Sequence, residues 1–96
     1  MTYIPEIPIS DLVEVTFKKS KDYLRNMSKL ESACKDGNLN KNKHIIVFLT
    51  DNGKVKVKAT VWMVGSKYVL LKENLYIPIT SIIDIIWYKL NTIANG

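Results

Sequence analysis

The residues best placed to do chemistry are three lysines at alternate positions, Lys54, Lys56 and Lys58, in the stretch KVKVKATVWMV that ends beyond Trp62. A strand rises about 3.4 Å per residue, so alternate residues share a face. Their ammonium groups would then stand roughly 7 Å apart, close to the separation of successive phosphates. Trp62 lies further along the same face and Lys67 near a turn, which would set a stacking ring beside a cationic track. A purely structural role competes with this. Lysines keep a half-exposed strand wet and discourage edge pairing, and a tryptophan there would pack beneath a helix.

Other chemistry finds less to work with. The single histidine, His44, opens a strand with no nucleophile or carboxylate partner evident in the sequence. The single cysteine, Cys34, ten residues earlier, falls at helical spacing from apolar residues and reads as a buried thiol. Neither a metal-ligand pattern nor a phosphate-cradling glycine loop is present, since the four glycines are scattered at 37, 53, 65 and 96. The expectation is a chain that is not an enzyme and takes no metal or cofactor.

Charge points the same way as the lysine row. The 96 residues carry a net charge of +5. Residues 1–36 balance six Lys/Arg against six Asp/Glu, whereas residues 37–96 hold eight lysines and three acids, so the whole surplus sits in the second part. With 47% hydrophobic and 24% charged residues the composition is that of one small globular domain. One cysteine cannot form an internal disulfide, the start MTYIPEIPISDL lacks the apolar run of a signal sequence, and no stretch approaches a membrane span. A cytoplasmic protein without a membrane partner is expected.

The elements that must position these residues can be read from period and punctuation. Residues 1–19, with Pro5 and Pro8, read as an N-terminal arm, or as an edge strand at LVEVTF. Tyr23, Leu24, Met27, Leu30 and Cys34 recur every three or four residues. They predict an amphipathic helix over 20–36, capped by Ser20 and stopped by Gly37. From 44 to 88 the chain reads as strands: HIIVFLTD, KVKVKATVWMV, KYVLLK, LYIPI and IIDIIWY, with residues 90–96 a frayed tail. A two-residue turn at Asn52-Gly53 would pair Phe48 with Val57 and Val47 with Lys58. One at Gly65-Ser66 would pair Met63 with Tyr68 and Trp62 with Val69. The core face would then hold Ile46, Phe48, Val55, Val57, Ala59, Val61, Met63 and Leu70, leaving Trp62, Val69 and Leu71 with the lysines.

Five short strands, three in a tight meander and the last two separated by one turn, with a helix before them, resemble the Sm-like version of the SH3-type barrel, Hfq-type and Rof-type proteins included. IIVFLTDNG, VKATVWMV, KYVLLKEN and IPITSIIDI carry the resemblance over residues 44–86. It implies a mainly β fold, a small five-stranded barrel capped by the N-terminal helix, and RNA or an RNA-handling protein as partner. Tyr68 falls where Hfq-type chains place a stacking aromatic, although the pairing above turns it toward the core. The chain departs from the family pattern at Ala59, usually glycine, and at Gly65-Ser66-Lys67, where eukaryotic members carry asparagine. It departs again at Tyr76-Ile77-Pro78, where Hfq-type chains read Tyr-Lys-His, so the family's uridine ring does not carry over.

The functional expectation is therefore binding of nucleic acid, single-stranded RNA favoured, through Lys54, Lys56, Lys58, Trp62, Lys67 and Tyr68. The alternative is a protein-interaction module or homo-oligomer using the apolar last strand through Ile83, Ile85 and Trp87, because a strand apolar on both faces needs cover on both.

Overall fold

The computed structural model describes residues 3–21 and 27–87. Among them it is mainly β, with one helix, α1 (Met27–Asn40), and six strands: β1 (His44–Thr50), β2 (Gly53–Ala59), β3 (Val61–Val64), β4 (Tyr68–Leu71), β5 (Leu75–Pro78) and β6 (Ile82–Trp87). They form two antiparallel three-stranded sheets, ordered β2-β1-β6 and β3-β4-β5. The long strand expected over KVKVKATVWMV, amphipathic at its start and apolar on both sides at its end, serves both sheets and divides into two strands to do so. The chain passes from the first sheet to the second through Thr60, whose carbonyl accepts the Lys72 amide at 3.0 Å.

Between the sheets lies one core. Ile46, Phe48, Val55, Val57, Ile82 and Ile85 come from the first sheet, and Val61, Val69, Leu71 and Ile77 from the second. Ala59 of the first sheet, Leu30 and Ala33 of α1, Leu12 and Ile79 complete it. The α1 stripe behaves as its period predicts, but Gly37 does not stop the helix. A Cβ at Gly37 would lie 2.4 Å from the Val61 carbonyl oxygen, so glycine there lets helix and strand backbones approach. The helix instead ends where Lys41 turns left-handed, at φ 57°, with its amide donating to the Gly37 carbonyl at 3.0 Å. The expected beginning of this helix, with Tyr23 and Leu24, and the tail beyond Trp87 lie outside the described residues.

Both hairpins are displaced by one residue from the expected turns. Thr50 pairs with Gly53, Phe48 with Val55 and Val47 with Lys56. Only Gly53 takes a positive φ in this turn, at 106°, so the loop is not the type I′ form that Asn-Gly suggests. The Thr50 hydroxyl fixes it, donating to the Gly53 carbonyl at 2.9 Å and accepting the Asn52 amide at 3.1 Å. In the second hairpin Gly65 donates to the Tyr68 carbonyl, Val64 pairs with Val69 and Met63 with Leu70. A bulge between Val61 and Met63 makes Trp62 the extra residue. That bulge reverses the expected faces beyond it: Val69 and Leu71 are buried, while Met63 and Tyr68 are exposed and Leu70 is half-buried.

The arm laces the sheets together. Pro5 and Ile7 pair with Lys56 along the outer edge of β2, and a 3-10 turn over Ile9–Glu14 buries Leu12. Phe17 then bridges Thr50 and packs its ring 5.5 Å from Phe48. Ser20 donates its amide to the Thr80 carbonyl at 2.6 Å, ahead of β6.

Candidate nucleic-acid interface

Alternation along β2 sends Val55, Val57 and Ala59 inward and Lys54, Lys56 and Lys58 outward, so the three lysines do share one face. Their partners on β1 are Leu49, Val47 and Ile45, and the face continues onto β6 through Asp84, opposite Val47, and Ile86, opposite Ile45. Val47 is buried although it points away from the core, flanked by Lys56 and Asp84, as expected where long stems cover an apolar side chain. Asp84 is occupied: its Oδ1 accepts Lys29 Nζ of α1 at 2.7 Å and the Ile85 amide at 2.8 Å. Glu6 of the arm lies beside Lys56. Across this face Lys29, Lys54, Lys56 and Lys58 thus stand against Glu6 and Asp84. Lys54 is exposed and Lys56 half-buried, while Lys58 already interacts within the chain.

The remaining expected residues do not join that row. Lys67 lies in the turn between β3 and β4 and Tyr68 opens β4 of the second sheet, where it is 51% exposed and not turned into the core as the expected pairing had it. Its ring meets Tyr76 edge to face, with centroids 6.0 Å apart. With Met63, Gly65, Ser66, Lys67 and Leu70 these tyrosines line an open groove of about 460 Å³. Tyr76 was not among the expected site residues, since the Ile77-Pro78 that follows it departs from the Tyr-Lys-His run of Hfq-type chains. Trp62 is exposed at its side chain but held at its backbone. The bulge frees its carbonyl, which accepts Cys34 Sγ at 3.3 Å and Asn38 Nδ2 at 3.1 Å from α1. The expected placement of Trp62 beneath the helix is therefore true of its carbonyl and not of its ring.

The apolar last strand is covered only in part. Ile85 is 3% exposed and belongs to the core and Ile83 is half-buried, whereas Ile86 and Trp87 are 45% and 41% exposed, the Trp87 ring packing edge to face on His44 at 4.5 Å. His44 also has the carboxylate neighbour that the sequence did not disclose. Asp36 Oδ2, eight residues back at the end of α1, lies 3.1 Å from Nε2, although neither ring nitrogen makes a well-formed hydrogen bond. Burial holds the imidazole below its ordinary value, opposed by the Asp36 carboxylate. Asp36 is itself lowered, first by the Asn40 amide that donates to it at 2.7 Å, with Asn42 and His44 adding to this. The group ties the end of α1 to β1 and β6. Cys34 is engaged elsewhere, with the Trp62 carbonyl, so no thiol faces the imidazole.

No protein-family model, curated protein or solved structure matches this chain. Among the described residues no helix is long and apolar enough to cross a membrane.

Proposed function

We propose that this chain is a non-enzymatic, cytoplasmic binder of single-stranded nucleic acid, RNA favoured, built on an Sm-like small barrel. The lysine row of β2 follows the phosphates in this reading. The observation that carries it is the common outward direction of Lys54, Lys56 and Lys58, on a face whose acid from β6, Asp84, is already occupied by Lys29. A row of cations at phosphate spacing attracts a polyanion without reading its sequence. The barrel reading is supported by the continuous path from β2 to β3, the arm laced along the sheet edges, and the single 3-10 turn Ile79–Ser81 that joins β5 to β6. The helix that buries Leu30 and Ala33 against both sheets supports it too.

The test is fluorescence anisotropy of labelled single-stranded RNA and DNA oligomers at low and physiological salt, with the Lys54→Ala/Lys56→Ala/Lys58→Ala variant alongside. Salt-sensitive binding that the variant loses supports the reading. Equal binding by the variant, or none by the wild type at either salt, sinks it.

A further inference from the structure

The lysine row of β2 has different neighbours on its two sides. β2 is the outermost strand of its sheet, and beyond it the arm sets Glu6 beside Lys56. On the inner side two more strands continue the same face. Leu49, Val47 and Ile45 of β1 stand opposite Lys54, Lys56 and Lys58, and Ile86 of β6 stands opposite Ile45. The row Lys58-Ile45-Ile86 is therefore cationic at one end and apolar over the rest. Ile45 is half-buried, while Ile86 at the far end is 45% exposed. Asp84 shares this face two residues earlier on β6, and Lys29 answers its charge at 2.7 Å, so no bare carboxylate interrupts the inner side.

We infer that Ile86, with Ile45 beside it, is where the bases rest when phosphates lie along the lysine row. The inference rests on the nucleic-acid reading of that row and assigns what the row leaves open, the side to which the bases turn. A phosphate held by Lys58 leaves its sugar and base to project to one side or the other. Outward, they would leave the sheet past the Glu6 carboxylate, which repels the phosphates they are joined to. Inward, they cross Ile45 and then Ile86, about 5 and 10 Å from the β2 backbone by the spacing of strands. A base is flat and apolar on its faces, so resting on an exposed aliphatic side chain takes apolar area of both out of water. The aromatic residues are not beside this row, because Trp62, Tyr68 and Tyr76 all belong to the other sheet. An aliphatic platform touches the face of a base and not its edges, so it holds any base alike.

Fluorescence anisotropy on two labelled oligomers of equal length tests it, one a single-stranded RNA and the other the same ribose-phosphate chain without bases. Each is titrated with the wild type and with Ile86→Thr, which keeps the β-branched shape, and circular dichroism confirms the fold. The wild type should bind both with equal salt slopes, because the phosphates are equal in number. It should hold the RNA about three- to tenfold more tightly, as burying the exposed part of one isoleucine implies. Ile86→Thr should remove most of that difference by losing affinity for the RNA. Ile86→Trp should widen it, since bases stack on an aromatic ring. Equal affinity of the wild type for the two oligomers overturns the inference and leaves the reading of the lysine row standing. A difference that survives Ile86→Thr, or is lost instead in Tyr68→Ala, overturns it too, because the bases then lie elsewhere. Binding of neither oligomer at low salt removes the reading and the inference together.

Discussion

Single residues decide how closely the helix can sit, and Gly37 is the sharpest case. In an exposed helix interior, replacing glycine by alanine stabilises by roughly 1 kcal/mol. Here the added Cβ would lie 2.4 Å from a backbone oxygen of β3, a neighbour that cannot rotate away. Gly37→Ala should therefore destabilise by about 1–3 kcal/mol, the usual cost of overpacking, read as a lower urea midpoint at unchanged slope. His44 sets a second expectation. Its folded value lies below the ordinary 6.5, so the unfolded chain binds the proton more readily and stability rises with pH. The His44 contribution is complete above about pH 6.5 and is lost as the pH falls through the lower folded value. Urea midpoints should drop between pH 7.5 and 5, and His44→Leu should flatten the curve in that window. A midpoint that rises toward pH 5 would mean the ion pair with Asp36 outweighs burial.

At the scale of elements the arm matters most, because it occupies an edge that would otherwise stand open. Lys56 directs its amide and carbonyl to Pro5 and Ile7, so by alternation Val55 and Val57 direct theirs to β1. Deleting residues 1–7 should let the Lys56 amide exchange with solvent while those of Val55 and Val57 stay protected, which hydrogen exchange read by NMR resolves. Equal protection of Lys56 with and without the arm would mean that the edge is covered by something else.

Elements were also what the sequence disclosed best, for a definite reason. The helix stripe through Leu30 and the alternation of β2 are periodic signals that survive small errors. A turn misplaced by one residue shifts the pairing by two, so Phe48 faces inward whether Val57 or Val55 lies opposite. A bulge has no such protection. The extra residue at Trp62 carries no sequence mark, and it exchanged the two faces of β4, hiding Val69 and exposing Tyr68. Gly37 misled because glycine for a close approach and glycine for a helix stop look alike in sequence. The Asp36 and His44 contact was invisible because it depends on the left-handed turn at Lys41.

Across the whole molecule the two sheets divide the surface by charge, and that division yields a quantitative expectation for the lysine face. Each phosphate neutralised on a single strand contributes roughly 0.7 to the slope of log affinity against log salt. Lys54 and Lys56, with Lys58 sharing its interaction within the chain, should supply two to three such contacts, a slope of about −1.5 to −2. Replacing all three by alanine should flatten the slope by that amount while leaving salt-independent affinity in place. Repeating the titration with Tyr76→Glu separates the sheets. If the lysine row alone holds the strand, this variant keeps nearly the same slope, because position 76 faces away from the row on the other sheet. If that variant loses as much slope as the lysine variant, phosphates run over both faces and the division by charge fails. The comparison needs a short oligomer that holds one chain, so that the slope counts the phosphates met by a single lysine row.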